Sequence, residues 1–124
     1  MPLATRELVE EMVKRIFPQE NPSRISALLH MYGTERYERE RERVQLAILK
    51  LSEGAPDRLL RLIEMAKQDY RDVLAYAEYP NEMGKSATEM GEMPPQDAKR
   101  IRDKDRQQYL EWLDGSKQNA ESDT

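Results

Sequence analysis

Read for hydrophobic periodicity, the chain divides into helical stretches separated by proline and glycine stops. Leu8 and Val9, Met12 and Val13, then Ile16 and Phe17 recur every four residues, which predicts a helix from Thr5 to Phe17 with a wide apolar face. Glu10 with Lys14 and Glu11 with Arg15 stand in the favourable acid-before-base order on its surface. Pro18 ends it, because the residue before a proline is pushed out of the helical region. Asn21 followed by Pro22 is a strong start signal for a second helix, an amide cap and then a ring already set to helical φ. Its stripe is Ile25, Leu28, Leu29 and Tyr32, and Gly33 supplies a left-handed residue to end it. Thr34 then reads as the cap of a third helix reaching Ser52. Val44, Ala47, Ile48 and Leu51 form its core face, and Leu46 and Leu49 widen it, so this helix is expected at the centre of the fold.

Gly54 breaks the chain again, and Pro56 with Asp57 opens a fourth helix, read as continuous to Pro80. Leu59, Ile63, Ala66, Tyr70, Val73 and Ala77 alternate in steps of four and three, the spacing that keeps one face of a helix. The short connection predicts that the third and fourth helices form an antiparallel hairpin. Pro80 to Pro95 then holds three prolines, two glycines and three methionines in sixteen residues, without a period, which predicts a linker over 81–95. A fifth helix is expected over 96–114, with Ala98, Ile101, Tyr109, Leu110, Trp112 and Leu113 as its apolar positions and a polar middle from Asp103 to Gln108. The polar residues 115–124 are expected to form a disordered tail. The fold class is therefore all-α: a compact four-helix bundle-like domain over 1–80 with an additional C-terminal helix.

Composition narrows the chemistry. The 124 residues suit one domain, large enough to fold without a disulfide or a structural metal. The longest apolar-dominated stretch, Val44 to Leu51, is interrupted by Gln45 and Lys50, so no membrane span is expected. The N-terminus lacks the basic start and apolar block of a signal peptide. There is no cysteine, which excludes a disulfide framework, thiol catalysis and thiolate metal sites and fits a cytoplasmic protein. The net charge is −4, and no block of Lys or Arg stands out, so neither nucleic acid nor a membrane is expected as a partner.

Within that frame, Glu35 to Arg43 alternates four acids with four bases, which predicts a solvated helix start laced with pairs such as Glu35–Arg39, Glu38–Arg41 and Glu40–Arg43. His30 is the only histidine, so His-based metal sites and a His–His relay are out, and a surface or half-buried imidazole is the plain reading. Gly84-Lys85-Ser86 resembles the end of a phosphate-binding loop, but Tyr79 stands where that loop needs its first glycine. Asp103-Lys104-Asp105 opens like a calcium loop, yet Gln108 occupies the required glycine position. No catalytic residue, cofactor or metal ligand is assigned.

The densest chemistry is Asp69, Asp72 and Glu78 with Tyr70, Tyr76 and Tyr79 at the end of the fourth helix. Asp69 and Asp72 would share one face of a continuous helix, as paired carboxylates do. Tyr70 also belongs to the core stripe, where a tyrosine with a bonded hydroxyl is ordinary. Tyr109 and Trp112 form a second aromatic cluster near the chain end. That last helix has three options: folding back on its own domain, pairing with a neighbouring subunit, or docking on another protein. The candidate binding surface is thus Asp69, Asp72, Tyr76, Glu78, Tyr79, Tyr109 and Trp112.

Arg43 to Ser52 and Asp69 to Pro80, with the Tyr32-Gly33 turn, resemble a group of short bacterial all-helical proteins, a likeness covering about the first eighty residues. The resemblance implies a bacterial, cytoplasmic origin and carries over no activity. The expected function is a small non-enzymatic interaction module whose partner is another protein or a second copy, a homodimer through the C-terminal helix included. The alternative is a small-ligand binder or enzyme that uses the acidic and tyrosine cluster.

Overall fold

A computed structural model of the protein describes residues 4–36, 38–85 and 87–114, apart from the side chains at 87, 88 and 90. The described residues form α1 (Arg6–Ile16), α2 (Pro22–Leu29), α3 (Arg41–Ser52), α4 (Pro56–Gln68), α5 (Tyr70–Glu78), α6 (Pro80–Met83), α7 (Ala87–Glu92) and α8 (Pro95–Asp114), with no strand among them. The protein is all-α. It divides into two units, one ending at Ala77 and the other beginning at Glu78. The expected disordered tail, 115–124, lies outside the described residues.

Local chemistry sets the first two helices where periodicity predicts them. The Thr5 hydroxyl accepts from the Leu8 amide at 3.1 Å, satisfying a first-turn donor of α1, and Lys14 and Arg15 face the negative end of its dipole. The Asn21 side chain accepts from the Ser23 amide at 2.9 Å, and Pro22 fills the first position of α2. This second helix closes earlier than its stripe suggests, at Leu29 with His30 as cap. Gly33, at φ +105°, turns the loop beyond it.

In the first unit α3 packs against α1 and α4, and α2 against α1 and α4. Every residue of α3 from Val44 to Leu49 is buried, as a helix enclosed by others requires. Val9, Met12, Val13, Phe17, Ile25, Leu29, Leu59 and Ile63 complete the surrounding core. Full burial of each large side chain is worth about 1.5–3 kcal/mol, so this cluster supplies most of the unit's stability.

Four expectations are corrected. The third helix starts at Arg41, not at Thr34. The intervening loop is held by the Glu38 carboxylate, and Glu40 has left-handed dihedrals (φ 56°, ψ 41°) that interrupt any helix before it. Of the pairs expected in the charge run only Arg43–Glu40, at 3.7 Å, is found among the described residues, and Glu38 pairs elsewhere. The long fourth helix is two helices, divided at Asp69, whose backbone is extended (φ −157°, ψ 100°). The aperiodic stretch over 81–95 contains α7 and most of α6. Pro80 at the first position of α6 needs no amide acceptor, and the next two amides are bonded by Asp105, so a helix of four residues persists there.

α3 and α4 are joined by Glu53, Gly54 and Ala55. Glu53 and Gly54 both have positive φ, 53° and 79°, the conformation that closes a helix and that costs a residue with a Cβ roughly 1–2 kcal/mol. Glu53 also reaches Arg58 at 3.3 Å, but both side chains are largely exposed and that contact contributes little. Glu53→Gly is therefore expected to raise the unfolding free energy by about 0.5–1 kcal/mol, strain relief outweighing the added freedom of the unfolded chain. Urea unfolding followed by circular dichroism measures it, and a loss of stability would show that Glu53 is not strained.

Candidate functional site

The acid- and tyrosine-rich stretch after Gln68 is a helix of its own, and Asp69 makes it so. Its Oδ1 accepts from the Arg71 amide at 3.1 Å, a cap for the first turn of α5. The same carboxylate receives Arg71 Nε at 3.0 Å and Nη2 at 3.2 Å, and these side-chain and backbone bonds from Arg71 hold its pKa below the ordinary value. Asp69 and Asp72 therefore do not share the face of one helix, because the break lies between them. Asp72 is exposed in the first turn of α5, where its charge complements the helix dipole. Tyr76 follows one turn later and keeps 47% of its surface exposed.

Glu78, Tyr79, Tyr109 and Trp112 belong to the second unit. Glu78 and Tyr109 are buried and engaged, so their side chains are not on the surface as a binding role requires. Tyr79 is half-buried and caps α6, its carbonyl accepting from the Met83 amide at 2.9 Å. The rings of Tyr109 and Trp112 lie 5.7 Å apart and tilted by 41°, an aromatic contact within α8 that leaves Trp112 half-buried.

Sequence reasoning missed the most heavily bonded acid in the first unit. The Glu38 side chain is 1% exposed. Its Oε1 accepts from the Gly33, Thr34 and Glu35 amides at 2.9, 3.0 and 3.2 Å, and its Oε2 receives Lys67 Nζ at 2.9 Å. Burial alone would push the Glu38 pKa up, but the Lys67 hydrogen bond and the Gly33 and Glu35 amides outweigh it and bring it down to about 2. A carboxylate so engaged is a poor proton acceptor near neutral pH, and its role is to tie the α2–α3 loop to α4. Beside this pair, Ala66 to Arg71 and Glu38 line a cleft of about 250 Å³.

The same loop is anchored twice more. The Tyr32 hydroxyl, fully buried, donates to the Arg39 carbonyl at 2.7 Å, and burial followed by the nearby Glu38 charge raises its pKa to about 12. Gln45, 2% exposed, donates through Nε2 to the carbonyls of Leu29 and Tyr32, each at 3.1 Å. In the second unit Asp105 does comparable work. It is fully buried within α8 and accepts from the Asn81 and Glu82 amides, both at 3.0 Å.

A signal for Asp105 existed: it occupies the apolar register of Ala98, Tyr109 and Leu113, at steps of seven, four and four. Glu38 had none, being one of four acids that alternate with arginines from Glu35 to Arg43, a run without an apolar period. Among the described residues no group of three or more His, Asp or Glu could hold a metal ion, and no helix is long and apolar enough to cross a membrane. Comparison with family models, with curated proteins and with solved structures found no match.

Proposed function

We propose that this chain is a small non-enzymatic interaction module, and that the Asp72–Tyr76 face of α5 contacts its partner. The observation that carries the reading is the exposure of Tyr76, 47% of its surface at one turn from the exposed Asp72. The buried acids Glu38 and Asp105, by contrast, are committed to backbone amides. A tyrosine ring next to a carboxylate fits a partner segment that presents Lys or Arg, with the cation over the ring and paired with Asp72. A second copy of the chain is one such partner, and another protein is the other. The alternative, a small-ligand site or enzyme that uses Asp69, Asp72 and Tyr76, is less well supported because Asp69 is taken up by the α5 cap and Arg71.

The test compares wild type with Tyr76→Ala and Asp72→Asn by sedimentation velocity and by affinity capture from source-cell extract. Because both side chains are exposed, thermal midpoints should hold within about 0.5 kcal/mol of stability. Self-association, or retention of one discrete captured protein, should weaken by about tenfold or more in Tyr76→Ala. If both variants self-associate and capture as wild type does, α5 is not the contact face.

A further inference from the structure

We infer that the cavity between the start of α1, the α2–α3 loop and the start of α3 binds a small molecule with one carboxylate and, on the adjacent carbon, a hydrogen-bond donor, an α-hydroxy or α-amino acid. This cavity is distinct from the Asp72–Tyr76 face and holds about 240 Å³, below the usual range for drug-sized ligands and suited to a molecule of a few heavy atoms.

Its lining has the charge to meet one carboxylate group. Arg6 and Arg41 contribute two positive charges to the lining and Glu42 one negative, an excess of one arginine, while Glu10, which pairs with Arg6 at 3.4 Å, lies outside the lining. A carboxylate balances that excess, whereas a doubly charged phosphate ester would add net negative charge beside Glu42. Arg41 donates through Nε at 3.0 Å and Nη2 at 2.8 Å to Glu42 Oε1, which engages two of its five N–H groups and fixes the plane of the rest. Arg6 donates to Glu10 at 3.4 Å and is otherwise open to solvent along most of its side chain.

The backbone is shaped around Arg41. Gly33 has a positive φ, and a Cβ placed on it would lie 2.4 Å from both Cγ and Cδ of Arg41. A glycine there thus leaves room for the arginine stem to lie across the loop. On the other side Glu40, immediately before Arg41, has a left-handed conformation that a glutamate adopts only under strain.

Gln45 supplies the acceptor that selects the donor. Both hydrogens of its Nε2 go to the Leu29 and Tyr32 carbonyls, so the amide orientation is set, since carbonyls only accept. Among the described residues no donor reaches Oε1, and no fully buried side-chain oxygen lacks a partner. With Gln45 on the cavity wall, Oε1 therefore opens onto the cavity, an acceptor for a ligand hydroxyl or ammonium.

Three ligands of one carbon skeleton test the inference: L-lactate, L-alanine and propionate, titrated into the full-length protein while the Gln45 side-chain amide and Arg41 Nε–H resonances are followed by NMR. Lactate, alanine or both should shift these resonances, with Kd in the millimolar range that so few atoms support, and propionate should bind several-fold more weakly. A response to lactate alone names the hydroxyl as the donor, and one to alanine alone names the ammonium; each supports the site. Arg6→Gln, a change at a largely exposed residue, should weaken binding by about fivefold or more while leaving the thermal midpoint unchanged. The inference is overturned if none of the three ligands shifts these resonances, if propionate binds as well as the others, or if Arg6→Gln binds as wild type does.

Discussion

Glu38→Ala is expected to lower the unfolding free energy by about 3–4 kcal/mol, the lower part of the range for removing one partner of a buried, hydrogen-bonded ion pair, because Lys67 keeps 33% of its side chain exposed. The loss has two sources. The Gly33, Thr34 and Glu35 amides lose their shared acceptor, and Lys67 loses the carboxylate at 2.9 Å. Glu38→Gln separates them: its amide oxygen can still accept from the loop amides, but the charge facing Lys67 is gone, so a smaller loss of about 1.5–3 kcal/mol is expected. Chemical unfolding monitored by helical circular dichroism gives both values. A shift within the roughly 0.5 kcal/mol of an ordinary surface change would mean that the loop does not depend on this carboxylate.

The same pair predicts an acid response. The folded-state pKa of Glu38 is about 2, below the ordinary value of 4.5, so ionised Glu38 favours the native state. Its contribution is complete above the unfolded pKa and is lost as pH falls from about 5 towards 2, on the order of 3 kcal/mol by linkage. Because Glu38→Gln lacks this group, the stability gap between wild type and Glu38→Gln should narrow over that interval. A gap that stays constant from pH 5 to pH 2 would contradict the depressed pKa.

Asp105→Ala is expected to remove about 2–3 kcal/mol and to act on the second unit. The fully buried carboxylate accepts from the Asn81 and Glu82 amides, 24 and 23 residues away in sequence, and hydrogen bonds to a charged acceptor are the stronger kind. Pro80 contributes no amide, so these two are the first donors of α6, and a helix of four residues has little propensity of its own to keep them in place. Arg102 also reaches Glu82, at 3.2 Å, but that contact is exposed and does not replace the lost acceptor. Hydrogen exchange at Asn81 and Glu82 reads the effect directly: both amides should exchange faster in Asp105→Ala by about tenfold or more. Protection equal to wild type would show that α6 does not need Asp105.

Some features of this protein were legible residue by residue. Thr5, the Asn21-Pro22 pair, Gly54 and Pro56 act within one or two turns of themselves, and each stands at the helix boundary its chemistry predicts. The all-buried run of α3 was legible because apolar residues cover so much of its circumference. Asp69 was misread for the opposite reason: the apolar stripe continues in phase from Ile63 through Val73, so periodicity sees no break where a side-chain cap makes one. The candidate surface fared according to burial. Asp72 and Tyr76 are exposed on α5, while Glu78 and Tyr109 turn inward, a distinction that three- and four-residue spacing does not carry.

By itself, then, the sequence determined the helical class, the Asn21-Pro22 helix start, the central helix and the polar balance that disfavours a membrane span, because each depends on neighbours a few residues apart. Only the tertiary structure decided which acids are structural. Glu38 meets Lys67 across 29 residues and Asp105 meets Asn81 across 24, and these partners are brought within 3 Å by the packing of helices whose own patterns mention neither. The cavity at Arg6, Arg41 and Gln45 has the same origin: a hydrogen-bonding code is local for caps and turns but distant for buried charges, whose acceptors and donors exist as pairs only once the core has formed.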